Sequence, residues 1–412
     1  MPEAEIIAVG SELLTSEKTD TNSLALTAEL NGLGIEVVRK TIVGDDRERL
    51  AATLRDAVAR CAIVVVTGGL GPTEDDVTRD AAATALGRTL IFSEEVCEAI
   101  RVRFRSFGRK MTEINKRQAY LIEGAEVLAN PRGTAPGQWV DIGSALVALL
   151  PGPPRELLPM FREDCVPRLR AKFPARAIRT RLLRATGIGE GDLDATISPV
   201  YTRYRNPVTT ILASSGDIQI HLRAHADTDA EADALLDEVA GQIIPLLGGK
   251  LYSRNGDSLE VIIGHALRGR RQTLSVAESC TGGLLGGRIT GVPGSSDYFR
   301  GGFLTYADET KTELLGVSAD LIVDRTAVSE EVARAMADGA KRRARTDYAL
   351  SVTGYAGPDG GTKENPVGTV FVGLATPFET AVRRLRMPGD RDRIRNFAVQ
   401  NALNLLRLAL GL

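Results

Sequence analysis

Histidine is nearly absent: the 412-residue chain has three, His221, His225 and His265, so a catalytic apparatus built on imidazole has few candidates. Cysteine is scarce too. Cys61, Cys97, Cys165 and Cys280 lie far apart with no Cys-x-x-Cys pair, which argues against a thiolate zinc site or a disulfide framework and fits a reducing cytoplasm. The formal net charge of -2 supplies no overall basic field for nucleic acid or an anionic membrane, so direct nucleic-acid binding is disfavoured. No run approaches the roughly 18 apolar residues of a membrane span. The opening Met1-Pro2-Glu3-Ala4-Glu5 lacks the basic and apolar regions of a signal peptide. Together these absences predict a soluble cytoplasmic protein with no membrane partner, long enough for two or three domains.

What is present begins with alternating strands and helices. Glu5–Gly10 and Glu36–Val38 read as strands, Asn22–Leu33 and Arg47–Arg60 as helices, and Ala62–Val66 as a buried strand, which is a βαβαβ pattern and hence a parallel sheet. Gly68-Gly69-Leu70-Gly71-Pro72-Thr73 follows that strand, at the carboxyl end where open α/β sheets bind ligands. Its backbone amides suit a phosphate nest. Glu74, Asp75 and Asp76 follow at once, hard oxygen ligands for a divalent cation on such a phosphate. The alternative is a plain turn whose acids cap the helix from Thr78 to Leu86. The polar stretch Thr112–Gln118, with Asn115 and Lys116, is placed over the same phosphate or on a solvated face.

From about residue 172 a β-α-β-β-α order is expected, with a hairpin turning at Ser214–Asp217, and it resembles a small KH-type module. The third segment centres on Ala277-Glu278-Ser279-Cys280-Thr281-Gly282-Gly283, between a strand (Thr273–Ala277) and a helix (Leu284–Ile289). Small residues at that junction would leave backbone N–H groups open at a helix N-terminus. Ser279 could attack there with an oxyanion hole around Thr281 and Gly282; the alternative is a helix N-cap with a tight turn. Its base is sought among three lysines after residue 250, Lys311, Lys341 and Lys363, because arginine cannot serve. Lys341 belongs to a charged run and Lys363 to a polar loop. Lys311 starts a helix after the strand predicted at Phe303–Tyr306, and Tyr306 could orient it or relay its proton. Thr353-Gly354, in a second strand-to-glycine loop, and Arg391, at a helix start, are candidate substrate contacts.

These motifs together resemble the competence/damage-inducible protein CinA family. The resemblance rests on Gly68–Asp76, Asn130 with Gly133-Thr134-Ala135-Pro136-Gly137, Pro151-Gly152-Pro153-Pro154, Glu278–Gly283, Ala356–Gly361 and Pro366–Val370. It implies a molybdopterin-binding-like domain at 1–171, which in this family can hydrolyse ADP-ribose with a divalent metal (Mg, Mn or Co). It further implies a KH-like module at 172–250 and a nicotinamide-nucleotide amidohydrolase domain at 251–412, all α/β. The last needs no cofactor and turns nicotinamide mononucleotide into nicotinate mononucleotide and ammonia. Carried over by position, Ser279 matches the nucleophile, Lys311 the base and Tyr306 its partner, with Thr353 and Arg391 near the substrate. Ser16, Tyr355 and Ala307-Asp308 depart from the family's usual residues. A homodimer is expected. Pterin binding by the first domain, or a non-catalytic partnership with recombination or competence proteins, are the alternative readings.

Overall fold

In the computed structural model, which describes residues 2–174 and 176–412, the chain divides into two units. One is Met1–Arg179 with Ala224–Ala234, the other Thr180–Arg223 with Leu235–Leu412. The first opens with β1 (Glu3–Val9), α1 (Asn22–Gly32), β2 (Glu36–Val43), α2 (Arg47–Arg60), β3 (Ile63–Thr67) and α3 (Thr78–Ala85). It continues through β4 (Leu90–Phe92), α4 (Glu94–Ser106), β5 (Tyr120–Ile122), β6 (Glu126–Leu128), β7 (Gly137–Asp141), β8 (Leu146–Leu150), α5 (Pro154–Met160) and α6 (Val166–Lys172).

The main sheet has the order β2-β1-β3-β8-β7-β6. Its first four strands pair in parallel and β7 and β6 close it antiparallel. All of β3 is buried, the mark of a strand covered on both faces. The two-residue period of a strand divides it between two cores. Val64 and Val66 pack with Leu50 and Leu54 of α2, while Ile63 and Val65 pack with Leu26 and Leu30 of α1 and with Phe161. Burying each such side chain contributes about 1.5–3 kcal/mol.

The remaining chain forms β9 (Ala177–Thr186), α7 (Glu190–Tyr201), β10 (Val208–Ser214), β11 (Asp217–Ala226), α8 (Asp229–Leu247) and β12 (Leu251–Ser253), with sheet order β10-β11-β9-β12. The hairpin turns where expected, with Ser214 opposite Asp217. There follow α9 (Leu259–Arg270), β13 (Leu274–Glu278), α10 (Leu284–Thr290), β14 (Phe299–Leu304), α11 (Asp308–Leu315), α12 (Ala319–Arg325), α13 (Glu330–Ala344), β15 (Tyr348–Gly354), β16 (Thr369–Ala375), β17 (Thr380–Arg386) and α14 (Arg391–Ala409). Their sheet runs β14-β13-β15-β16-β17. Val276 and Leu350 face the core with α9 and α14, Ala277 and Ala349 the core with α13.

One strand departs from the sequence expectation. β14 ends at Leu304, so Thr305 and Tyr306 lie beyond it rather than inside it. Gly301 and Gly302, poor strand formers, concealed its start. Among the described residues no helix is long and apolar enough to cross a membrane.

Candidate functional site

β13 lies between β14 and β15 in the sheet, and the chain crosses over it to pass from one neighbour to the other. This is the reversal point where parallel sheets open a crevice. In register, Glu278 stands opposite Leu304 on one side and Val352 on the other. The residues that follow these three strands therefore meet at one edge. Ser279 N donates to Val352 O (2.9 Å) and Thr305 N donates to Glu278 O (2.8 Å), which seats Ser279 between the Tyr306–Lys311 segment and the end of β15. Gly282 (φ 60°) and Gly283 (φ 92°) make the left-handed turn into α10 that a side chain would oppose.

The amides at the start of α10 are not open, which corrects the sequence expectation. The buried Glu278 carboxylate accepts from Gly283 N (3.1 Å), Leu285 N (3.0 Å) and Gly286 N (2.8 Å), and Gly282 N donates to Ser279 O (3.1 Å). A carboxylate next to the turn satisfies the donors that a helix start leaves free. The Thr281 amide has no acceptor among the described residues, and the Thr281 hydroxyl is buried without a partner. Cys280 is a poor candidate nucleophile: burial pushes its thiol up to about 12, and the thiolate is the reactive form.

Lys311 is 1% exposed. Its Nζ donates to Asp308 Oδ1 (3.0 Å), Tyr306 O (3.3 Å) and Ala307 O (3.4 Å). The Tyr306 contact is thus through the carbonyl. The Tyr306 hydroxyl instead accepts from Arg391 (3.1 Å), whose other nitrogen donates to Gly357 O (2.7 Å). Arg391 therefore ties Tyr306 to the loop after β15. One turn along α14, Arg395 donates to Thr281 O (2.8 Å). Sequence reasoning missed Arg395, although its i,i+4 spacing from Arg391 places the two on one helix face.

Two expected contacts belong to the fold instead. Thr353 is fully buried and its hydroxyl donates to Ala327 O (2.8 Å). At Gly354 a Cβ would come within 2.7 Å of Val370 Cγ2 and 2.8 Å of Thr369 O, so glycine there permits close pairing with β16.

In the first unit, Gly68 (φ 98°) and Gly69 (φ 63°) turn the chain after β3. The loop is braced from within. Asp76 accepts from Gly71 N (2.7 Å), Thr73 N (2.8 Å) and Thr73 Oγ1 (2.5 Å), and the buried Arg79 donates to Leu70 O and Gly71 O (2.6 Å each). Glu74 pairs with Arg117 at 2.5 Å. The nearby Thr73 side chain holds the exposed Asp75 carboxyl below the usual range. Glu74 and Asp76 are thus committed to Arg117 and to the loop itself, and no group of three potential metal ligands occurs among the described residues. This donor set, as arranged, does not fit a divalent cation. Asn115 Oδ1 accepts from Thr112 N (3.0 Å) and Oγ1 (2.8 Å) as a local cap, and Lys116 pairs with Glu113 (2.8 Å), so neither is free to cover the loop. Cavities of about 330 Å³ and about 310 Å³ flank the loop, the first lined by Lys18, Asn22 and Gly68, the second by Gly69, Gly71 and Gln118.

Three family descriptions match the chain: "Probable molybdopterin binding domain" over 5–171, "Damage-inducible protein CinA KH domain" over 180–253 and "CinA C-terminal domain" over 256–410. A "CinA-like protein" of Solibacter usitatus is 58% identical over 405 residues, 98% of this chain and 97% of that one. Another from Acidobacterium capsulatum is 48% identical over 411 residues, 99% of each. The crystal structure of competence/damage inducible protein CihA from Agrobacterium tumefaciens is 37% identical over 37% of this chain and 94% of that one, with a TM-score of 0.36. Near-full-length identity of this order leaves one conclusion: the chain belongs to the CinA family of competence/damage-inducible proteins, with a molybdopterin-binding-like domain, a KH domain and a CinA C-terminal domain.

Proposed function

We propose that the C-terminal domain hydrolyses the carboxamide of nicotinamide mononucleotide to nicotinate mononucleotide and ammonia. The observation that carries this reading is the buried amine of Lys311, held after β14 while Ser279 follows the adjacent β13. Ser279 Oγ attacks the carboxamide carbon, with Lys311 as the general base that takes its proton. That proton then leaves with the nitrogen as ammonia, and water hydrolyses the acyl-serine. The Thr281 amide, which has no acceptor among the described residues, is the donor we assign to the oxyanion, a role worth about 2.7–4 kcal/mol per donor in acyl transfer. Arg395 fixes the Thr281 backbone and Arg391 with Tyr306 binds the substrate phosphate.

The test is ammonia release by the intact chain and by Ser279→Ala and Lys311→Ala, each checked for fold by circular dichroism. Loss of activity in both variants supports the assignment. An inert wild type, or an active Ser279→Ala, overturns it.

For the first domain the reading is binding of a pyrophosphate-linked ligand, ADP-ribose, across the loop. Its support is the pair of cavities on either side of Gly68–Gly71. Titration calorimetry with ADP-ribose, with and without Mg²⁺, tests it. Since Asp76 already braces the loop, binding without added metal is expected, and absence of binding in both conditions refutes the reading.

A further inference from the structure

A cavity of about 580 Å³ in the second unit lies apart from the Ser279 edge and is lined by the KH-like module and by β17 and α14. Its volume is in the middle of the range of about 300–1,000 Å³ typical of small-molecule sites. Arg383 of β17 and Arg393 of α14 line it, and neither guanidinium has a hydrogen-bond or ion-pair partner among the described residues. Two unpaired guanidiniums on one concave wall match a phosphate dianion, which they can hold by paired N–H···O bonds. Phe397 and Met387 add an apolar wall to the same cavity, suited to a planar ring.

Polar groups complete the wall. Asn401 Nδ2 donates to Phe397 O (2.9 Å), which leaves its carbonyl oxygen as an acceptor, and the Glu190 carboxylate also lines the space. Both accept hydrogen bonds, as sugar hydroxyls or a ring amine would require.

α14 separates this cavity from the proposed catalytic site. Arg391 and Arg395 reach Tyr306, Gly357 and Thr281, whereas Arg393, Phe397 and Asn401 line the cavity. At 3.6 residues per turn, the centres of the two sets sit about 140° apart around the helix. They are different faces of one element, so the cavity is not an extension of the Ser279 pocket.

We propose that this cavity is a second, independent ligand site for a purine nucleoside monophosphate, with the phosphate on Arg383 and Arg393, the ring against Phe397, and the sugar and ring edge read by Asn401 and Glu190. The experiment uses AMP and the full-length chain, with 8-azido-AMP as a photolabel. Wild type is expected to bind AMP and to be labelled on peptides containing residues 187–218 or 383–401. Arg383→Glu/Arg393→Glu, two exposed positions, should weaken that binding at least 30-fold and abolish the labelling. Inorganic phosphate should bind at least tenfold more weakly than AMP, because it lacks the ring. Phe397→Leu, which keeps the apolar volume, should weaken AMP and leave phosphate unchanged, and it serves if the double variant loses its fold. Labelling confined to the first unit or to the Ser279 loop, unchanged affinity in the variants, equal affinity for phosphate and AMP, or no AMP binding at all would each overturn the proposal.

Discussion

Glu278 is the residue whose replacement tests the architecture of the catalytic edge most directly. Its carboxylate ties Gly283, Leu285 and Gly286 to the strand end that carries Ser279. Hydrogen bonds to a charged group contribute about 1.5–3 kcal/mol each, and an unmade bond to a buried donor costs about 1–3 kcal/mol. Glu278→Gln keeps one acceptor oxygen but turns an NH₂ toward a backbone N–H. The expected local loss is about 2–3 kcal/mol, or about 30- to 100-fold faster exchange of these amides, at a factor of ten per 1.4 kcal/mol. Glu278→Ala, which removes all three bonds, should accelerate exchange further. Displacing the Ser279 turn by about 1 Å should also lower kcat on the order of 10²-fold. Hydrogen exchange read by mass spectrometry on the peptide spanning 279–290 measures the first effect, and ammonia release the second. If both variants exchange within twofold of wild type, the carboxylate does not hold the turn and the reasoning fails.

Further tests follow from other contacts. The Tyr298 hydroxyl is buried without a partner, so Tyr298→Phe should leave stability unchanged or raise it by up to about 1 kcal/mol. A Cβ at Gly264 would lie 2.6 Å from that oxygen; Gly264→Ala should destabilise by about 1–3 kcal/mol, and Tyr298→Phe should relieve part of the loss in a double-mutant cycle followed by urea unfolding. Burial pushes the Cys165 and Cys280 thiols up to about 12 and, with Glu5 beside it, Cys61 to about 11. Neutral thiols are poor nucleophiles, so all three should resist iodoacetamide at pH 8 in the folded chain and react in guanidinium, as mapped by mass spectrometry. Arg395→Ala should lower kcat for ammonia release while leaving the thermal unfolding profile within a degree or two; an unchanged kcat would remove Arg395 from the site. Asp76→Ala releases three loop contacts and should destabilise the first unit by about 2–4 kcal/mol, a loss that metal ions would not restore.

Much of the fold was legible because hydrophobic period and turn residues act locally. The α2 span Arg47–Arg60 coincides with its sequence expectation, since it has an apolar stripe and clear ends. The short strands β4, β5 and β6, of three residues each, carry too few residues to show a period, and β17 exposes most of its residues. Their place comes from the partners they pair with.

Local chemistry in the sequence determined that Ser279 sits at a strand-to-helix turn and that Gly68–Thr73 follows a buried strand. Which side chains use the groups exposed there is a three-dimensional matter. Glu278 reading as part of a reactive turn, Thr353 as a ligand contact and Asp76 as a metal ligand all followed from residue type. Only the packed structure decided that the first plugs α10, the second bonds Ala327 and the third braces its own loop. A polar group's partner depends on what folding brings within about 3 Å of it, and sequence spacing carries that information only for neighbours along one element.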